Sequence, residues 1–388
     1  TRRWRCWTNW RRRWPGAVDN GPPSERKRLA LWGGMALVAL LLLECALQVF
    51  YLSLNGDFLF RRVALPLYRP QPHRYYGMLP DLAYRHRTNE FSVTYYTDGQ
   101  GLRSDAAQGE VPVGKAAGRY RLMFLGPSFT FGWGNDYEDI YPTLISRDLT
   151  VPGREVEVVN LGTPSQPAAW QLCWLEQEGY RYDPDLVVVT VYLGITHLAG
   201  ICETPPSIRV EDGYLRADGS DSAWRGRAKT LATVFYAWYA YQMLGGAEGG
   251  PQGLGNELYP ETRPPADDRV VEEYRRYIEH IHAALGRKIP VVFLHIPVSY
   301  AIRPSDAARW KHLGHHDPEQ QRQQMAALAG QLDRASIAFV DPTNALLEGD
   351  AAARMYYFLD IHLTPAGNAA VAAAAGPVIQ AAMEENGY

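Results

Sequence analysis

The hydrophobic pattern divides the chain into a short basic stretch, one long apolar run and a region of alternating apolar and polar segments. The apolar run covers residues 29–54, in which Glu44 and Gln48 are the strongly polar side chains. A helix of this length spans about 39 Å, enough to cross a hydrocarbon core of about 30 Å. The pattern therefore predicts one transmembrane helix. A buried core helix and a cleaved signal peptide are the alternatives, although no small-residue cleavage site follows the run.

Beyond residue 119 short apolar runs alternate with longer helical stretches. The run DLVVVTVYL is nearly continuous in apolar residues, as expected for a strand covered on both faces. The alternation predicts an α/β fold, with a parallel sheet that has helices on both sides. The predicted strands are Tyr120–Leu125, Glu155–Leu161, Asp185–Leu193, Pro290–Ile296 and Ile337–Val340. The predicted helices are Glu138–Asp148, Pro167–Arg181, Asp268–Leu285, Pro318–Arg334 and Pro365–Glu384.

Four regions follow from this pattern. Residues 1–28 form a basic tail, 29–54 the transmembrane helix, 55–119 a linking or wrapping segment, and 120–388 the α/β domain. An insertion at about 200–265 interrupts the domain and contains an aromatic stretch, Ala223–Leu244. We expect this stretch to pack against the domain, and a lid or a docking face is the alternative.

Charge fixes the expected orientation of the transmembrane helix. The net charge of the 388-residue chain is only -3, which gives no drive toward nucleic acid. Residues 1–28, however, hold eight Arg and one Lys, whereas only Arg61 and Arg62 follow the apolar run closely. The positive-inside rule then predicts a cytoplasmic N-terminus and an exported remainder. For a bacterium this means the inner membrane, with the C-terminal domain in the periplasm.

Two features near the N-terminus suggest membrane contacts. Trp4, Trp7, Trp10 and Trp14 recur every three to four residues among arginines, a pattern that suits an anionic lipid surface or a groove on another membrane protein. A disordered basic tail is the alternative. Glu44 is costly in lipid, so it either bonds to a partner helix or is protonated or reaches the interface.

The cysteines and histidines predict no metal or cofactor site. Cys173 and Cys202 share the exported region, so a disulfide between them is one option, and the four cysteines form no CxxC. Three histidines (312, 315 and 316) cluster in a polar loop, but no set of acidic residues or cysteines stands at ligand spacing beside them.

Candidate catalytic residues follow the predicted strands, where open α/β sheets form their sites. Ser128 lies in a Gly-Pro-Ser turn after the first strand, and Asp360 and His362 precede the last helix. A serine nucleophile needs a base, and the base needs an acidic partner to orient it. Ser128, His362 and Asp360 supply these three types. The backbone amides of Ser128 and Gly162 can bind a developing oxyanion.

The order and spacing of these segments resemble the SGNH/GDSL hydrolase superfamily, in particular its membrane-anchored bacterial members. RLMFLGPSFTFGWGNDYEDIYPTLI matches the first block, VVNLGTPS the second, VYLGITHLAG the third and FLDIHLTPAGN the fifth. The anchor with Glu44 and the segment TDGQGLRSD are also similar. The resemblance implies a three-layer α/β/α sandwich with Ser128 as nucleophile and oxyanion donor, Gly162 as second donor, His362 as base and Asp360 as its partner. It also implies ester hydrolysis or acetyl transfer.

Two departures from the family pattern bear on activity. Pro127 stands where the first block has Asp, and it fixes φ in the turn that carries Ser128. Thr196 stands where the third block has the Asn that donates to the oxyanion, and loss of one such donor typically costs about 100- to 1000-fold in rate. We therefore expect a catalytically impaired domain that acts as an accessory subunit of a membrane complex, of a respiratory, photosynthetic or envelope-polysaccharide type. An active periplasmic esterase or acyltransferase on envelope glycans or lipids is the alternative.

Overall fold

The structure is a computed structural model that describes residues 25–55, 58–62, 66–88, 90–106, 109–191, 195, 198, 200–203, 208–217, 228, 230–243, 268–310, 317–358 and 360–387. The chain divides into two compact units, Thr1–Leu47 and Gln48–Tyr388. The tryptophans predicted to contact membrane or partner, Trp4 to Trp14, and the three clustered histidines lie outside the described residues.

A single long helix opens the described chain. Helix α1 (Glu25–Asn55) covers the predicted transmembrane segment, and its stretch Glu25–Ser53 is long and apolar enough to cross a membrane. Several leucines along it are more than half exposed, among them Leu29, Leu40 and Leu42. Glu44 lies within this helix and is partly exposed. The predicted span is confirmed as an N-terminal apolar helix.

The remaining elements follow in chain order. The helices are α2 (Leu59–Arg62), α3 (Ser128–Phe131), α4 (Tyr141–Asp148), α5 (Ala168–Gln177), α6 (Ala232–Met243), α7 (Asp268–Leu285), α8 (Ser299–Ile302), α9 (Pro304–Arg309), α10 (Pro318–Arg334), α11 (Thr343–Gly349) and α12 (Pro365–Glu385). The strands are β1 (Tyr68–Gln71), β2 (Tyr75–Met78), β3 (Ala83–Arg87), β4 (Ser92–Thr97), β5 (Arg103–Ser104), β6 (Arg119–Leu125), β7 (Glu155–Asn160), β8 (Leu186–Val191), β9 (Ile208–Glu211), β10 (Tyr214–Ala217), β11 (Val291–His295) and β12 (Phe339–Val340).

Five parallel strands form the central sheet in the order β12-β11-β8-β6-β7. The chain runs from β6 to β7 on one side and then returns to β8 on the other. The strand order therefore reverses at β6, and a crevice forms beyond the carboxyl ends of the strands at such a point. Ser128 lies directly after β6, so the topology puts the predicted nucleophile at this position.

Apolar side chains alternate between the two faces of the sheet and make two cores. Leu122, Phe124 and Val188 point to one side and pack with α4, α8, α11 and α12. Met123, Val187 and Val189 point to the other side and pack with α5, α7 and α10. The predicted three-layer α/β/α sandwich is confirmed. Helix α12 is also long and apolar enough to cross a membrane, but Val371 and Ile379 are fully buried in the first core.

The segment between the anchor and the large sheet, predicted to link or wrap, forms short strands. β1 pairs with β2, and β3, β4 and β5 form a three-stranded antiparallel sheet. Tyr76 and Tyr95 from these strands are buried with Phe131 of α3 and Trp170 of α5 in a third core. The segment therefore packs directly onto the elements that follow the nucleophile turn.

The predicted strands and long helices agree with the structure to within a few residues. The predicted helix Glu138–Asp148 is instead a 3-10 turn (Tyr137–Asp139) followed by α4, because Ile140 is extended between them. The predicted helix Pro167–Arg181 ends as α5 at Gln177, and a second 3-10 turn, Gly179–Tyr182, follows. Part of the predicted insertion, β9 and β10, is a hairpin.

Candidate active site

The nucleophile turn is a tight passage from a strand into a helix. Ser128 is the first residue of α3, and Gly126 precedes it at the end of β6. A Cβ at Gly126 would collide with the side chain of Thr130 and lie 2.7 Å from the Cβ of Thr190. The side-chain amide of Gln171 in α5 binds both backbone groups of Gly126, accepting from its N–H at 2.7 Å and donating to its carbonyl at 2.8 Å. The turn is thus fixed by the absence of a side chain at Gly126 and by the buried side-chain amide of Gln171.

Pro127 is accommodated in this turn without moving the serine away from its base. Pro127 has φ -81° and ψ -151°, an extended conformation that its ring permits. The Oγ of Ser128 lies 2.6 Å from Nε2 of His362. The fixed φ therefore leaves the nucleophile and the candidate base within hydrogen-bond distance.

His362 and Asp360 come from the loop before α12. Nδ1 of His362 lies 2.5 Å from Oδ1 of Asp360, which also accepts from the His362 amide at 3.0 Å. The histidine side chain is 12% exposed and that of the aspartate 20%. The second carboxylate oxygen of Asp360 accepts from Nε1 of Trp133 at 3.3 Å. The carboxylate is held on both oxygens, so it can orient the imidazole with Nε2 toward the serine.

The loop after α3 supports the histidine. The ring of Trp133 lies 5.9 Å from that of His362, and the ring of Phe129 lies 4.9 Å from it. Nδ2 of Asn135 donates to the carbonyls of Trp133 and Leu363, both at 2.9 Å. The loop that carries Trp133 and the loop that carries His362 are thus tied together.

Arg103 of β5 lies behind the nucleophile helix and is 3% exposed. Its guanidinium donates to the carbonyls of Phe131, Tyr96, Ser104 and Asn135 at 2.7–3.3 Å. Burial lowers the pKa of Arg103 to about 10, which leaves it charged at neutral pH. The hydroxyl of Tyr95 accepts from the Gly134 amide at 2.9 Å. The small N-terminal sheet therefore fixes both ends of the segment from Phe131 to Asn135.

The second block forms a tight backbone crossing. Gly162 lies against the backbone of Thr130 and Phe131, so closely that a Cβ there has no room. The Gly162 amide donates to Oδ1 of Asn160 at 2.8 Å, and Nδ2 of Asn160 donates to the Thr130 carbonyl at 2.8 Å. The predicted oxyanion donor is thus beside the nucleophile helix, with its N–H engaged by Asn160.

The other two predicted oxyanion donors are Thr196 and the backbone amide of Ser128. Thr196 lies outside the described residues, as does Gly194. Within the described residues, no acceptor takes a hydrogen bond from the Ser128 amide, which is the first N–H of α3. This amide is therefore available to a negatively charged oxygen beside the serine.

A disulfide lies next to the third block. Cys173 of α5 and Cys202 are bonded, with their Cα atoms 5.5 Å apart. Glu176, Cys202 and His280 bring ligand atoms within 4.8 Å of one another. Because the Cys202 sulfur is bonded to Cys173, it is no thiolate, and the remaining pair is too small a ligand set for a structural metal.

The similar proteins found for this chain are solved structures. No protein-family model matches the chain, and no curated protein matches it. A lipolytic protein of the G-D-S-L family from Veillonella parvula is 12% identical, covers 66% of this chain and 96% of its own, and has a TM-score of 0.33. A GDSL-like lipase from Bacteroides thetaiotaomicron is 14% identical over 69% of this chain and 88% of its own, with a TM-score of 0.34. An acetyl xylan esterase from Geobacillus stearothermophilus is 13% identical over 69% and 97%, with a TM-score of 0.37.

The solved structures similar to this chain include GDSL proteins. At these identities and TM-scores the likeness says nothing of substrate or activity, which must be argued from Ser128, His362 and Asp360 themselves.

Four supporting residues were missed by the sequence reasoning: Arg103, Trp133, Asn135 and Gln171. Three of them fall inside segments quoted for the resemblance: Arg103 in TDGQGLRSD, and Trp133 and Asn135 in the first block. A lone arginine followed by small polar residues in a short strand was the available signal for Arg103. Nothing local marks Gln171, because its partner peptide is 45 residues away in the chain.

Proposed function

We propose that the chain is a membrane-anchored, exported serine hydrolase or acyltransferase that acts on acyl esters of an envelope glycan or lipid. The observation that carries the proposal is the continuous hydrogen-bonded series from Ser128 Oγ through both ring nitrogens of His362 to Asp360. A serine hydroxyl is a weak nucleophile at neutral pH, and an adjacent imidazole with an oriented tautomer activates it.

The reaction follows from this order of groups. Ser128 Oγ attacks the ester carbonyl carbon while His362 Nε2 takes the hydroxyl proton, and the imidazolium forms beside the Asp360 carboxylate. The tetrahedral intermediate collapses, and His362 returns the proton to the leaving alcohol. Water, or a second alcohol in a transferase, then attacks the acyl-serine with His362 again as base, which regenerates the free serine.

The oxyanion that forms in this reaction needs hydrogen-bond donors beside Ser128. The Ser128 amide has no competing acceptor among the described residues and supplies one donor. The Gly162 amide supplies a second donor only if it is shared with or released from Asn160 Oδ1. In the pattern that the sequence resembles, an asparagine side chain supplies a third donor, and this chain has Thr196 at that position. Each missing donor costs roughly 100- to 1000-fold in rate, so we expect slow turnover.

The location of the domain belongs to the same proposal. The N-terminal apolar helix supports membrane anchoring, and the basic residues before it support a cytoplasmic N-terminus. The Cys173–Cys202 disulfide supports an oxidising compartment for the domain, such as the bacterial periplasm.

Labelling of native membranes with a fluorophosphonate probe tests the activity, because the probe reacts with activated serines and needs no known substrate. We expect labelling of the wild-type chain and of Ser146→Ala, a serine in α4 whose hydroxyl donates to the Thr143 carbonyl of the same helix. Ser128→Ala should lose the label completely. Labelling that survives in Ser128→Ala would refute the assignment.

A second candidate is a non-catalytic accessory subunit of a larger membrane complex. The observation that favours it is the engaged Gly162 amide, because this predicted oxyanion donor already binds Oδ1 of Asn160. This candidate predicts a folded wild-type chain that takes no label. It also predicts that other membrane subunits co-purify with the chain in constant ratio from mild detergent.

A further inference from the structure

An aromatic helix, α6, lies apart from the two cores of the sandwich. Its sequence ATVFYAWYAYQM contains only Thr233 and Gln242 as polar residues other than tyrosines. A helix that is apolar on every side is typical of a protein core or of lipid, and it is costly in water. Among the side chains of α6 that the structure describes, only Ala232 is buried, so the described residues leave much of this apolar helix uncovered.

The first half of α6 packs against the last turns of the anchor helix. The ring of Phe235 meets that of Tyr51 edge-on at 5.6 Å, and the ring of Tyr236 lies 5.8 Å from that of Phe50. All four residues belong to the second compact unit. Phe50 and Tyr51 fall within the last four residues of the stretch that is long and apolar enough to cross a membrane. Helix α6 therefore lies beside the end of this stretch.

A buried glutamine fixes this arrangement. Gln48, 9% exposed, donates from Nε2 to the Thr230 carbonyl at 2.9 Å, just before α6. Its Oε1 accepts from the Leu59 amide at 3.1 Å, at the start of α2. One side chain of the anchor thus holds both the start of α6 and the start of α2, which makes the position of α6 beside the anchor specific.

The other side of α6 presents an apolar stripe to the surroundings. Leu231, Val234 and Tyr241 are 45%, 40% and 56% exposed, and Ala237 between them is exposed as well. Their spacing of three to four residues puts them along one helix face. Phe60 of α2 is 52% exposed and stacks on Phe58 at 5.2 Å. In the sequence Arg61 and Arg62 follow directly.

We propose that this stripe and Phe60 lie in the interface of the membrane that the anchor crosses, with lipid as their partner. The inference goes beyond the proposed reaction and rests on the proposed anchoring. At 1.5 Å per residue, Phe50 lies about 5 Å along the helix from the end of the span at Ser53, which is within the depth that interfacial helices occupy. Tyrosine, phenylalanine and flanking arginine are the side chains enriched there.

The consequence is a second attachment of the domain to the bilayer. A single helix followed by a free linker lets a domain turn in any direction, whereas a helix lying in the interface beside the anchor fixes one side of the domain on the lipid. The same surface buried on a partner protein would also shield the stripe, and the experiment below separates these two cases.

Site-directed fluorescence quenching of the full chain in lipid nanodiscs tests the proposal. In a background with Cys6→Ser and Cys45→Ser, one added cysteine carries an environment-sensitive nitrobenzoxadiazole label, while Cys173 and Cys202 stay bonded. The test position is Val234→Cys. The matched control is Val113→Cys, a valine of similar exposure (37%) outside α6. Leu41→Cys within the apolar run reports on the anchor itself. Nitroxide groups on the lipid chains near the headgroups or near the bilayer centre serve as quenchers.

We expect the label at position 234 to shift its emission to shorter wavelength and to be quenched by the nitroxide near the headgroups. The label at position 41 should be quenched by the central nitroxide, and that at position 113 by neither. If position 41 is quenched but 234 behaves like 113, the interface proposal is wrong and the anchoring stands. A blue shift at 234 without quenching means that protein covers the stripe, which also overturns the proposal. If position 41 is unquenched, both proposals fail.

Discussion

At the residue scale, the central finding is that the serine, the histidine and the aspartate meet although the sequence around the serine departs from the family pattern. The turn keeps its shape because Gly126 has no side chain and Gln171 binds both of its backbone groups. The turn requires neither a backbone N–H nor a freely variable φ at position 127. Pro127, in place of the Asp of the pattern that the sequence resembles, therefore does not separate Ser128 from His362.

Substitutions of Asp360 and Trp133 test how His362 is oriented, because they should slow labelling by different factors. We expect Asp360→Asn to slow probe labelling by about 10³- to 10⁴-fold, because an amide no longer stabilises the imidazolium or its tautomer. Trp133→Phe keeps the ring beside His362 and removes one long hydrogen bond, so a loss of about five- to tenfold follows. Labelling time courses measure both. Equal losses in the two variants would contradict the assigned roles.

A second residue-scale prediction concerns His295, which is fully buried at the end of β11 with neither ring nitrogen hydrogen-bonded in the described structure. Burial lowers its pKa from 6.5, and Asp341 opposes this only in part. As the pH falls below 6.5, His295 binds a proton in the unfolded chain but stays neutral in the folded chain. The contribution of neutral His295 to stability is therefore complete above pH 6.5 and is lost below it, down to the lowered pKa.

The acid side of the stability curve measures this effect. We expect the free energy of unfolding of the wild type to fall by up to about 1.4 kcal/mol per pH unit from this one proton. His295→Leu should remove that slope between pH 6.5 and 5, because leucine fits an apolar position and does not titrate. Denaturant unfolding at several pH values measures both chains. Parallel curves would show that another group controls the acid response.

At the scale of elements, the small N-terminal sheet and the nucleophile helix form one working unit. β5 contributes Arg103, whose guanidinium binds four carbonyls across the turn and the following loop. β4 contributes Tyr95, which binds the Gly134 amide. The strands that the sequence pattern left as a linking segment thus determine where Trp133 lies, and Trp133 in turn holds Asp360.

Arg103→Lys tests this coupling. A lysine ammonium is compact and cannot reach four carbonyls in one plane, so the loop from Phe131 to Asn135 loses its anchor. We expect probe labelling to slow by about tenfold or more at a temperature where circular dichroism shows the chain fully folded. Arg85→Lys, at an exposed position of β3, is the matched control and should label at the wild-type rate. Equal rates in both variants would show that Arg103 has no part in positioning.

The parts of the fold that the sequence predicts depend on local pattern, whereas the parts that it does not predict depend on contacts between residues far apart in the chain. Strands β6, β7, β8 and β11 are apolar runs, and their existence follows from local pattern. Strands β1 to β5 have two to six residues and are rich in Tyr and Arg, so no periodicity marks them. Likewise Ser128 and His362 were found through short motifs. Arg103 and Gln171 act through contacts 28 and 45 residues away, which no local pattern encodes.

At the scale of the whole molecule, the chain combines an apolar helix, a domain with a disulfide bond and a strongly basic N-terminal tail. The proposed topology predicts that alkaline phosphatase fused after residue 388 is active in a bacterial host, because this enzyme folds only where disulfides form. A green fluorescent protein at the same position should be dark when exported by the same route. Replacing the basic residues before the anchor with Asn should reduce phosphatase activity in favour of fluorescence. A bright wild-type fusion would contradict the orientation.

The contacts of β4 and β5 with the loop after Ser128 decide where this chain can be shortened. Cutting at Arg119, where the large sheet begins, keeps the serine, histidine and aspartate and looks like a clean domain boundary in sequence. It also deletes Arg103 and Tyr95, and it uncovers Phe131 and Trp170. Such a fragment would retain the three reactive groups without the framework that aligns them. A soluble fragment for crystallisation or assay should therefore begin no later than Leu67, whose fully buried side chain opens the third core.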